Sequence, residues 1–116
     1  MPITKEKLSG STSGRPIAVA ATSTPGTTIH TAVNISDNID EVWLYVTNTD
    51  ASAVDLTLEL GGTSTSDTVE MSIPAEDGLH LVLPGNVFDT GVIIKAFAGT
   101  TNVINVVGWV NRLDQS

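Results

Sequence analysis

His30 and His80 are the only histidines of the chain, and neither has a partner at a spacing that chemistry uses. His30 lies in TTIHTAV and His80 in LHLVL. A metal or general-base site would need a pattern such as H-E-x-x-H, or a Glu three residues from a His, and none is present. Both are therefore read as sheet-face residues. The densest oxygen-ligand cluster is Asp37, Asn38, Asp40 and Glu41. Carboxylates with backbone carbonyls suit calcium, but the D-x-D-x-D-G loop with its distal glutamate is missing. Asp and Asn also start turns by bonding their own backbone, so residues 37–40 are read as a polar loop, with calcium as the alternative. Gly61-Gly62 lacks the lysine and the following helix of a phosphate loop, and no G-x-S-x-G elbow follows a strand. Paired carboxylates for glycoside hydrolysis need a cleft, and a chain of this size has few long loops to build one. No catalytic, cofactor-binding or metal-ligating residue is assigned, and no enzyme activity is expected.

Three aromatic residues remain. Trp43 and Tyr45 alternate onto one face of EVWLYVTNT, and Trp109 lies in a second strong strand pattern, VINVVGWVNRL. Aromatics aligned on a sheet face can stack sugars, but they also supply large buried area at subunit interfaces. Only five aromatics occur in the whole chain, so Trp43, Tyr45 and Trp109 are read as interface or packing residues, with a glycan-binding face as the rival.

The elements that position these residues are strands. Thr, Val and Ile make up 38 of the 116 residues. Such side chains lose rotamer freedom in helices and pack well on a pleated surface. Residues 41–49 read as the strongest strand, period-two alternation is cleanest over 54–60 and 68–73, residues 28–33, 79–83, 92–98 and 103–113 read as further strands, and 17–21 as a weak one. Pro25-Gly26, PAEDG at 74–78 and Pro84-Gly85 are read as turns, PAEDG as a tight hairpin in which Gly78 takes φ > 0. Phe88 is read as a buried plug in a loop over 86–91. Gly108, inside the last strand, predicts a bulge or a close backbone approach. These readings predict one all-β domain over residues 17–116, an antiparallel sandwich of about eight strands with jelly-roll and immunoglobulin-like topologies both open.

Composition excludes several classes. Without cysteine there is no disulfide framework and no thiolate site. No run of 18 apolar residues occurs, and MPITKEKLSGSTSG has no apolar h-region, so neither a membrane span nor a signal peptide is expected. The charge is −8 overall, yet residues 1–15 carry +2 and residues 16–116 carry −10. A body this acidic repels phosphate backbones and anionic lipid, so neither nucleic acid nor membrane is an expected partner. Residues 1–16 read as an extended N-terminal arm, polar and turn-rich. Ile3 and Leu8, with Lys5, Lys7 and Arg15, are its candidate partner-binding residues, the arm being either a free tail or a strand that orders on a neighbouring subunit.

The I-P-x-x-x-G-L segment (Ile73, Pro74, Gly78, Leu79), the L-V-L-P-G run over 81–85 and the closing N-V-I-N-V-V-G-W-V-N-R-L resemble small β-sandwich proteins encoded beside the major capsid protein in tailed bacteriophages. The resemblance spans roughly residues 41–113 and rests on strand pattern and punctuation. It implies a virion structural protein, a head decoration or cement protein that binds the major capsid protein, with a tail or head–tail junction subunit as the neighbouring alternative. A homo-oligomer, a trimer foremost, is expected, placed on the capsid surface after synthesis in the host cytoplasm. Such attachment would multiply weak single contacts over many copies.

Overall fold

The computed structural model describes residues 2–116, so Met1 of the expected arm lies outside the described residues. Nine strands form among them: β1 (Ile3–Lys7), β2 (Ile17–Ala18), β3 (Thr27–Thr31), β4 (Asn38–Asn48), β5 (Val54–Leu60), β6 (Thr68–Ile73), β7 (His80–Phe88), β8 (Ile93–Ala98) and β9 (Ile104–Asp114). One sheet has the order β1-β9-β4-β7, with β2 also on β9, and the other has the order β3-β8-β5-β6. All pairings are antiparallel. β1 and β2 share one edge of β9, at residues 109–113 and 105–106 respectively, so together they form a single edge strand split in two. Eight strands then remain, distributed between two sheets with most connections crossing from one to the other. This is the jelly-roll order, which settles the choice the sequence leaves open.

Strict alternation builds the core. In β4, Val42, Leu44, Val46 and Asn48 are buried while Glu41, Trp43, Tyr45 and Thr47 face outward at intermediate exposure. Ile104, Val106 and Val110 of β9 lie beside them, and Ile29, Leu56, Leu58, Ile94 and Ala96 close the core from the second sheet. β5 and β6 occupy the predicted ranges. Gly108 pairs with Leu44, and a Cβ there would stand 2.0 Å from the Trp43 carbonyl oxygen, so the close-approach reading holds.

Several expectations need correction. The N-terminal segment is extended but is not a free arm: β1 is laddered to β9 of its own chain, and Leu8 is 2% exposed within the core. PAEDG does not close a hairpin. β6 pairs with β5 and β7 pairs with β4, so this segment carries the chain between sheets, with Gly78 at φ 72 and the Glu76 amide donating to the Asn48 carbonyl. Pro84-Gly85 is not a turn either, and 86–88 is not loop. β7 continues through both to Phe88, which is half-buried against the core at the strand end. Pro lacks an N–H, and the ladder tolerates it because β7 is an edge strand. The register slips between Val42 (opposite Asn86) and Trp43 (opposite Pro84), leaving Gly85 as the extra residue of a bulge at φ 78. Finally, the Asp37–Asp40 region is not a loop throughout, because β4 begins at Asn38.

Candidate interaction surface and the buried polar network

The outer face of the five-stranded sheet gathers the aromatic residues singled out above. Trp43 and Trp109 lie opposite each other across β4 and β9, with ring centroids 5.9 Å apart and planes 11° from parallel. Tyr45 stacks on Trp109 from the diagonal position, at 5.9 Å and 21°. Lys5 places its ammonium 5.8 Å from the Trp109 ring centroid, an attractive cation–π arrangement. Trp43 rests over the bulge, where a Cβ on Gly85 would come within 2.8 Å of its ring. The glycine thus makes room for the indole. Glu41 anchors the other end of the ladder: Trp43 Nε1–H donates to Glu41 Oε1 at 2.7 Å, and Asn111 Nδ2 donates to the same oxygen at 3.0 Å. These two bonds, the Trp43 one foremost, hold the Glu41 carboxyl below its ordinary pKa.

Register places three further apolar side chains on this face: Ile3 (62% exposed) in line with Leu113 and Ile39, Leu81 (47%) beside Tyr45, and Val87 (53%) beside Glu41. Exposed apolar side chains gathered on one sheet face mark an interaction site more often than scattered single residues do, and here the polar row Lys5–Asn111–Glu41 runs between Ile3 and the rings. Lys5 and Lys7 share the face, in register with Asn111 and Trp109, whereas Arg15 lies outside the strands in the segment between β1 and β2. The stack therefore unites Trp43 and Tyr45 of β4 with Trp109 and Lys5, from three segments far apart in sequence. Mutual stacking also commits ring faces to one another, which leaves fewer of them for a sugar.

A second constellation escaped the sequence reading. Asp40 is fully buried and accepts four hydrogen bonds: Arg112 Nε to Oδ1 at 2.7 Å, and Arg112 Nη2 (3.1 Å), His30 Nε2 (2.9 Å) and the Val33 amide (3.0 Å) to Oδ2. The Ser9 amide donates to His30 Nδ1 at 3.0 Å. That bond makes Nδ1 an acceptor, so the hydrogen-bond network assigns the ring proton to Nε2. Both nitrogens are engaged and the ring is 1% exposed, so it has no free position from which to exchange a proton with a substrate. The pair pins β3 to β4 and, through Ser9, holds the N-terminal segment. A signal for it was present: Asp40 is in phase with Val42 and Leu44, and an acid on the core side of a strand needs a cation. Arg112, in register directly opposite, is one of only two basic residues after residue 15.

The calcium alternative fails on the same alternation. Asp40 points into the core and Glu41 out of it, while Asp37 sits in the preceding turn at φ 66, so the carboxylates do not converge. Among the described residues no group of three His, Asp or Glu side chains could hold a metal ion. His80 Nε2 stands 3.6 Å from Asp77 Oδ2, beyond hydrogen-bond length, and makes no cluster with His30. No family model, no curated protein and no solved structure matches the chain.

Proposed function

We propose that the chain is a structural protein of a tailed-phage virion, a head decoration protein that binds the assembled capsid and stabilises contacts between capsomers. The observation that carries this reading is the outer sheet face, where an aromatic stack braced by Gly85 and Glu41 adjoins exposed Leu81 and shares its face with exposed Val87 and Ile3. β4 and β9 (11 residues each) and β7 (9 residues), with the shorter β1 (5 residues) at the edge, lie about 4.8 Å apart and make a face of at most roughly 600 Å², somewhat below the ~800 Å² that one partner contributes to a standard interface. The rings are locked before binding, which lowers the ordering cost of association. The resemblance in the closing strands supports the same reading, as does the jelly roll by analogy, a fold used in viral capsid domains and also in lectins. The remaining acidic surface would keep decorated particles apart in solution.

The test is co-sedimentation with capsids that lack accessory proteins. The wild-type chain is expected to saturate the shell at hundreds of copies. Leu81→Glu and Val87→Glu, both at exposed positions, are expected to reduce affinity about tenfold or more, a difference of roughly 1.4 kcal/mol. A ring of about six or twelve copies would move the protein to a tail or head–tail junction under symmetric closure. Absence from particles, or unaltered binding by both variants, would overturn the assignment of this face.

A further inference from the structure

Residues 2–10 bond chiefly to the body of the chain, and their bonds to the segment that tethers them are the two from Ser11 to the Leu8 carbonyl. β1 ladders onto residues 109–113. Leu8 fills the core, the Ser9 amide donates to His30 Nδ1, Ser9 Oγ accepts from the Thr31 amide at 2.7 Å, and the Gly10 amide donates to the Ile29 carbonyl at 2.9 Å. Gly10 lies so close to β3 that a Cβ would stand 2.6 Å from the carbonyl oxygens of both Thr28 and Ile29. By contrast, the hydrogen bonds of residues 11–16 are local turn bonds, Ser11 to the Leu8 carbonyl and Arg15 to the Thr12 carbonyl, around Ser13 and Gly14 at φ 56 and 80.

An empty receptor would be costly. It would uncover the Leu8 socket, remove the donor from a buried imidazole nitrogen and open a row of β9 backbone groups. An open form that keeps those groups satisfied therefore needs another arm in the same place. Every copy carries both arm and receptor, so exchange between copies reproduces each contact. Residues 2–10 carry Lys5 and Lys7 against Glu6, a net of +1, and residues 16–116 carry −10, so the arm is attracted to a receptor of either its own or a neighbouring copy. The six-residue tether reaches at most about 20 Å. The shortest dimension of the molecule is 21 Å, so only a copy lying edge to edge can take part.

We propose that residues 2–10 form an exchangeable strand, which in closely packed copies docks on β9 and His30 of a neighbouring copy and links them. The inference is independent of the capsid reading, and its test uses the isolated protein. The chain has no cysteine, and Lys5 and Asn111 face each other in the β1–β9 register. The double variant Lys5→Cys/Asn111→Cys is expected to form an intrachain disulfide on dilution. The two single variants, mixed at rising concentration under mild oxidation, are expected to form a mixed disulfide. It should exceed the homodisulfide of Lys5→Cys by about tenfold, because ladder pairing raises the local thiol concentration to the millimolar range. Gly14→Val, which resists φ 80, is expected to open the tether and raise the mixed product further. A mixed product no greater than the homodisulfide at every concentration would overturn exchange. So would failure of the double variant to close within one chain, because the register on which exchange rests would then be absent.

Discussion

Asp40 keeps its charge in the core because four donors replace water around it. Burial alone pushes its carboxyl pKa up, but the bonds from Arg112, His30 and the Val33 amide outweigh that and hold it below the ordinary value. The folded chain thus binds fewer protons at this site than the unfolded chain. The resulting stability is present above the unfolded value of about 4 and is lost as the pH falls through the lower folded value. Asp40→Asn is expected to lose about 3–5 kcal/mol at pH 7, because Arg112 and His30 are left facing a neutral group, and to show a shallower loss of stability in acid. Urea titrations at pH 7 and pH 3 measure both effects. Gly108 sets a steric limit of another kind. Gly108→Ala would place a methyl group against the Trp43 carbonyl and is expected to cost about 2–3 kcal/mol or more. Gly78→Ala, with open space around it, should cost only the left-handed backbone penalty of about 1–2 kcal/mol.

At the scale of elements, β9 is the organising strand, paired with β1, β2 and β4. A chain ending at residue 103 would lose the partner of three strands, and it is expected to show no cooperative thermal transition by circular dichroism. The N-terminal strand contributes to stability as well. Leu8→Ala is expected to lower stability by about 2–4 kcal/mol in chemical denaturation, the cost of a cavity in a packed core. Removing residues 1–16 outright would therefore damage the domain itself, so point variants on the sheet face report attachment more cleanly. β7 shows why punctuation misleads at an edge. Pro84, opposite Trp43, is admitted because β7 is an edge strand, and Gly85 supplies a positive φ for a bulge instead of a reversal. The local chemistry of a turn and of a bulge is the same, and only the neighbouring strand distinguishes them.

For the whole molecule, the Cα radius of gyration is 13.9 Å, against about 13 Å expected for a compact chain of this length. The first and last strands pair with each other, so the sheet cannot close until almost the full chain is in place. Folding is accordingly expected in the millisecond-to-second range, as for other sandwiches dominated by non-local pairing, and stopped-flow fluorescence of Trp43 and Trp109 would follow it. The polarity of the surface also belongs to this scale. The basic Lys5 and Lys7 stand beside the aromatic stack on an otherwise acidic protein, an arrangement produced by the β1–β9 pairing.

Residue types and their period-two alternation were sufficient for the all-β class, for β5 and β6 to the residue, and for the shared face of Trp43 and Tyr45 opposite Val42, Leu44 and Val46. These are local properties: a side chain's face depends on its own strand's pleat. Strand partners are not local. The split edge of β1 and β2, the passage of PAEDG between sheets, the Asp40–His30–Arg112 network and the stacking of Trp109 on residues more than sixty positions away arise only when distant segments are brought into register. Buried polar groups and ring faces find their partners across that register, and for this reason the tertiary structure alone decided the sites.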